Sequence, residues 1–182
     1  VDMGLFPKRP IRLPEVRYPL DKWTLLVDST INSLDSLNFV FDLLTARPEL
    51  VIDLRSHTDS RGSNERNQKL SENRAIACYK YLVETKGVDP RRIVPIGQGE
   101  DEARTVYIVD GEYLVDEPKS GEYETQILTE KYINTFKRSS KKTFTMLHGL
   151  NRRMDGAVNS LDFDPETAPA ADPKYSEFIP YP

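Results

Sequence analysis

The stretch from Leu50 to Gly99 constrains this chain more than any other. Leu50, Ile52 and Leu54 alternate with Asp53, Arg55 and His57, and that period of two describes a half-buried strand. Ser60, Arg61, Gly62 and Ser63 make a turn. A helix is then expected from about 64 to 86, with Leu70, Ala75, Cys78 and Leu82 on its apolar line and Gly87 as its C-terminal cap. Ile93, Val94 and Ile96 read as the next strand, closed by Gly97 and Gly99. Upstream, Ile31, Leu34, Asn38, Phe41 and Leu44 recur at helical spacing over 29–47, with Asp28 or Ser29 as cap and Pro48 as stop. A short strand is expected at 15–18. The order strand, helix, strand, helix, strand predicts an α+β fold: two layers, with the helices on one face of a mixed β-α-β-α-β sheet.

Proline marks the edges of this body. Four of the 13 prolines precede residue 20 and five follow residue 161. The organisation this predicts is an extended arm over 1–14, a folded domain over 15–161 and a proline-rich tail over 162–182 that is expected to be loose. The opening residues carry neither an initiator Met nor a signal pattern, so the chain reads as a piece of something longer. Its 182 residues and 38% hydrophobic content suit one modest core. No apolar run reaches the ~18 residues of a membrane span. A net charge of −4 gives no general attraction to nucleic acid.

Residues 101–150 break the alternation of strand and helix. Asp110-Gly111 between apolar arms predicts a hairpin. Ile127, Leu128, Tyr132 and Phe136 suggest a helix over 124–138. Eight acids and two bases lie in 101–126, whereas 127–153 holds one acid and seven bases, a split that suits a protein-docking surface. The stretch reads as a folded insert whose removal would leave the rest intact.

The chemistry-bearing residues cluster where the first long strand ends. Asp59 sits just past the strand, and Gly62 turns the chain into the helix. Asn67, Leu70, Ser71 and Arg74 share one helix flank, and Arg74 leans back toward Asp59. A carboxylate, a guanidinium, an amide and a helix N-terminus suit a zwitterion, whose ammonium takes the Asp and whose carboxylate takes the Arg. The same spacing also suits an Asp59–Arg74 ion pair that only braces the turn, and both readings stand at this point. His57 with Asp53 and Asp59 offers a metal or acid–base alternative. Two histidines and one cysteine are too few for a structural zinc site, Cys78 lies on the apolar line, and no serine has a triad partner. No metal, no cofactor and no catalysis are expected.

The run His57-Thr58-Asp59, Gly62, Asn67, Leu70-Ser71, Arg74-Ala75, followed by Gly97-x-Gly99-Glu100 and by Asn151-Arg152-Arg153, resembles the signature of OmpA C-terminal-like, peptidoglycan-binding domains. Ser56 stands where that family carries a leading glycine. The resemblance covers about 15–160 and implies a two-layer sandwich that grips the diaminopimelate of the peptidoglycan stem. By its pattern Asp59 holds the ammonium, Arg74 the carboxylate, Asn67 the loop or ligand, and Arg152 adds a cation. Asp21 is the polar residue placed in the loop after the first strand. The resemblance also implies a periplasmic location at the outer membrane and protein partners in a cell-envelope complex. The long insert resembles that of the OmpA-like domains ending lipoproteins of the type IX secretion system.

Overall fold

The computed structural model describes residues 11–14, 16–19, 21–28 and 32–180. Among these the order is β1 (Ile11–Arg12), α1 (Ser33–Ala46), β2 (Val51–His57), α2 (Asn64–Lys80), β3 (Ile93–Gly99), β4 (Thr105–Val109), β5 (Glu112–Leu114), β6 (Glu124–Ile127), α3 (Glu130–Asn134), α4 (Lys141–Asn151) and β7 (Arg153–Ser160). The main sheet runs β1-β7-β2-β3, with β2 parallel to β3 and antiparallel to β7. One core lies between this sheet and both long helices. Leu37, Val40 and Leu44 of α1 meet Cys78 of α2, Leu82 beyond it, Ile52 and Leu54 of β2, and Ile93 and Met154. The fold is the expected α+β two-layer sandwich on a mixed sheet.

Several local expectations shift. The first strand is Ile11–Arg12, paired with Gly156 and Asp155, and not 15–18. Pro14 and Pro19 flank that segment and lack the N–H groups a ladder needs. The end of the expected arm therefore belongs to the sheet. Helix α1 starts at Ser33, because the Asn32 side chain accepts from the N–H groups of Leu34 and Asp35. Ser29 and Ile31, offered as its cap and first apolar residue, lie outside the described residues. After Lys80 the helix widens to a π-turn over Tyr81–Thr85 and ends at Gly87, whose φ is 73°.

The 101–150 stretch holds more than a hairpin and a helix. A second antiparallel sheet runs β5-β4-β6, and Asp110 and Gly111 take positive φ of 50° and 81° at its turn. Residues 124–127, expected to be helical, pair along β4. A helix begins only after Thr129, whose side chain accepts from Tyr132 N–H. Val106, Leu128, Ile133 and Leu147 form a small core of their own. The last of these comes from α4, a helix with no clear sequence cue, which leads straight into β7.

The tail is docked and not loose. Asn73 exchanges two hydrogen bonds with the Ile179 backbone, at 2.9 and 2.6 Å. Phe163 lies under the guanidiniums of Arg91 and Arg92. Tyr175 packs on Tyr79, and Phe178 on Trp23. Proline content had pointed to weak self-structure, but each of these aromatics finds a partner on the body.

Candidate functional site

The parallel pairing of β2 with β3 slips at Ser56–His57, and the Thr58 N–H donates to Gly99 C=O at 2.7 Å. That irregularity ends the strand and carries Asp59 to the mouth of the sheet. Gly62, with a φ of 113°, turns the chain into α2. Asn67 then braces the turn from inside: its Nδ2 donates to the Asp59 carbonyl at 3.2 Å and to Glu100 Oε2 at 2.5 Å. Ser71 Oγ accepts from Gly99 N–H at 2.8 Å. The polar residues of the α2 flank thus tie the helix to the ends of β2 and β3.

Asp59 is buried, and its carboxylate is fully engaged. Oδ1 accepts from Arg61 N and Nε at 3.1 and 2.8 Å. Oδ2 accepts from Arg61 Nη2 at 2.9 Å and from Arg152 Nη1 at 2.7 Å. Burial pushes this carboxyl up, but the hydrogen bonds from Arg61 and Arg152 outweigh it and hold it at about 2. The bracing role that spacing offered to Arg74 falls to Arg61 and Arg152. Arg74 is buried, donates from Nε to the Lys22 carbonyl at 3.1 Å, and lies 4.8 Å from the centroid of the Tyr18 ring. Asp21 pairs with Arg66 at 3.1 Å. His148, on α4, reaches within 3.9 Å of Asp59 Oδ1; its imidazole is pulled below its ordinary value, first by burial.

Asp21, Asp59, Asn67, Arg74 and Arg152 all line one cavity of about 280 Å³, together with Arg61 and Arg66. Sequence reasoning missed Arg61 and Arg66 as members of the site, and His148 as a neighbour of Asp59. The Asp-x-Arg spacing of 59 and 61 was the available signal, since two residues across a turn suit a carboxylate–guanidinium fork. His148 carried none, because α4 itself had no cue. It packs behind Asp59 from α4, a helix of the 101–150 stretch, and does not line the cavity.

The metal alternative comes apart. Asp53 accepts from Arg55 at 3.3 Å and Asn159 at 2.8 Å, whereas His57 Nε2 faces Asp155 at 3.1 Å. Among the described residues no three His, Cys, Asp or Glu are placed to hold a metal. Burial pushes the Cys78 thiol up to about 12, and it lies 3.1 Å from the Tyr18 hydroxyl. No helix among the described residues is long and apolar enough to cross a membrane.

Residues 27–107 match the OmpA family. Over that segment the chain is similar to OmpA-like domains. Outer membrane porin F of Pseudomonas aeruginosa is 38% identical over 69 residues, 38% of this chain and 20% of that one. Outer membrane protein A of Bordetella avium is 33% identical over 105 residues, 48% of this chain and 53% of that one. The chain therefore spans about a fifth of the first of these relatives and about half of the second. Among solved structures, the OmpA-like domain of FopA1 from Francisella tularensis superposes with a TM-score of 0.47 and 15% identity, over 80% of this chain and 73% of that one. The matched segment contains Asp59, Asn67 and Arg74. Arg152 comes to the same site from beyond it, and His148 to the neighbourhood of Asp59.

Proposed function

We propose that this chain carries an OmpA-like domain that binds peptidoglycan non-covalently, through the diaminopimelate of the peptide stem, and so anchors a larger envelope assembly to the cell wall. One observation carries the reading: Asp21, the β2–α2 turn, α2 and Arg152 at the α4–β7 junction converge on a single cavity of about 280 Å³. Its lining carries four guanidiniums against two carboxylates, an excess that suits an acidic peptide. In this reading the ligand carboxylate meets Arg74, whose neighbours, the Tyr18 ring and the Lys22 carbonyl, fix its plane. The ligand ammonium takes the Asp59 carboxylate by displacing Arg61, the more exposed of its two cations. Arg152 stays as the second partner of Asp59.

The domain acts without catalysis in this reading: among the described residues no metal trio is placed at the site, and burial pushes the Cys78 thiol up to about 12. The likeness to outer membrane porin F and outer membrane protein A supports a location at the outer membrane, with the domain facing the periplasm in this reading. A lipoprotein-borne domain such as that of PorE in the type IX secretion system is supported by the length of the 101–150 stretch alone. The saturation of Asp59 by Arg61 and Arg152 favours a second reading, in which the pocket is internally closed and the domain docks proteins.

Retention on purified diaminopimelate-type sacculi separates the two. Wild type is expected to be retained, to be released by free diaminopimelate and to keep its retention in EDTA, while Asp59→Ala is not retained. Wild type that fails to bind sacculi selects the docking reading. Muropeptides released into the supernatant would overturn the non-catalytic assignment.

A further inference from the structure

The C-terminal tail reaches the parts that hold Arg74. Phe178 packs on Trp23, with ring centroids 5.7 Å apart and planes tilted by 40°. Trp23 follows directly on Lys22, whose carbonyl accepts from Arg74 Nε at 3.1 Å, and on Asp21, which lines the candidate site. The next tail residue, Ile179, exchanges two hydrogen bonds with the side chain of Asn73, the neighbour of Arg74 on α2. Lys80 of the same helix donates to the Ser176 carbonyl at 3.0 Å, and its Nζ lies 5.9 Å from the centroid of the Phe178 ring. Residues 176–179 thus grip both the helix that carries Arg74 and the loop that accepts from it. The loop has little else of strength at this point. Asp21 sits at a φ of 55°, a left-handed conformation that L residues enter at a cost and keep where their surroundings impose it. The ion pair of Asp21 with Arg66 is about half exposed on both sides, and such pairs contribute little.

We infer that the tail is a positioning element of the site: Phe178 and Ile179 brace the 21–23 loop on α2, and so set the Lys22 carbonyl that orients the Arg74 guanidinium. Among the described residues none of the tail lines the cavity, so its effect passes through the loop. The consequence for affinity rests on the peptidoglycan reading, in which Arg74 meets the ligand carboxylate. The stem peptide then binds at full strength only while the tail is docked, and a partner that lifts the tail loosens the grip on the wall.

The test uses the full chain and two readouts that need no ligand. Trp23 is the one tryptophan of the sequence, so acrylamide quenching of its fluorescence reads the contact between tail and loop. Exchange of the Arg74 Nε–H with water, followed by NMR, reads the contact between loop and guanidinium. Phe178 is 39% exposed, so Phe178→Ala is expected to leave the core folded while raising both quenching and exchange. Phe178→Tyr keeps a ring and is expected to match wild type in both. Phe178→Ala should also weaken a diaminopimelate-containing stem peptide about fivefold in calorimetry, the strength of one aromatic pair, and Phe178→Tyr should not. By reciprocity, saturating stem peptide should slow proteolytic trimming of 162–182 in wild type. Arg74 exchange unchanged in Phe178→Ala would overturn the inference, whether or not a ligand binds. Raised exchange with unchanged affinity would overturn the tie between tail and ligand. Wild type that does not bind the stem peptide would overturn the peptidoglycan reading, whereas raised Arg74 exchange in Phe178→Ala would still uphold the bracing.

Discussion

Asp59→Asn isolates what the buried carboxylate contributes to the fold. Asparagine keeps the shape and removes the charge that Arg61 and Arg152 grip. A carboxyl held at about 2 when folded, against about 3.9 when unfolded, corresponds to roughly 2.5 kcal/mol of stability at neutral pH. Asp59 itself is only 7% exposed, but Arg61 and Arg152 are 45% and 36% exposed, so solvent screening brings the expected loss to roughly 2 kcal/mol. The sign follows from the lowered folded value: this stability is fully present above about pH 4 and is lost as pH falls toward 2. Urea denaturation of wild type and variant across that range is the assay. A gap of roughly 2 kcal/mol at pH 7 should close by about pH 2. A variant as stable as wild type at neutral pH, or a gap that persists undiminished into acid, would refute the idea that the carboxylate is held ionised by its two arginines.

Gly97→Ala should destabilise the fold by about 1–3 kcal/mol, read as a lowered melting temperature, because a Cβ there would lie 2.7 Å from the Glu72 Cα where β3 presses on α2. Asn73→Ala should release the tail by removing both bonds to Ile179, and limited proteolysis should then trim residues 162–182 faster than in wild type. Arg74→Lys should weaken the stem peptide at least tenfold in calorimetry, since an ammonium cannot reproduce the fork or its stacking on Tyr18. Stability should decline as pH falls below about 6.5, because burial disfavours charged His148 in the folded state; His148→Gln should flatten that slope.

The part of this protein readable without coordinates is the part written in local periodicity and turn chemistry. The alternation at 50–57, the helix begun after Gly62 and stopped at Gly87, and the Asp110-Gly111 hairpin are all decided by side-chain spacing and backbone conformation within a few residues. The gathering of Asp59, Asn67 and Arg74 at one end of the sheet was legible for the same reason, since one strand, one turn and one helix carry all three. Which groups meet there was not. Arg152, 93 residues away from Asp59, reaches it because β7 pairs beside β2 and brings its first turn to the mouth of the sheet. Residues 124–127 carry a helical stripe, yet they lie along β4 because pairing there satisfies backbone groups and lets Leu128 enter a small core. The tail, rich in proline, stays down because Asn73, Tyr79, Trp23 and Arg91 are already held in place by the body and offer partners at no further ordering cost. Local structure follows from neighbours in sequence, but the partner of a buried charge is set by whichever groups packing brings close and removes from water.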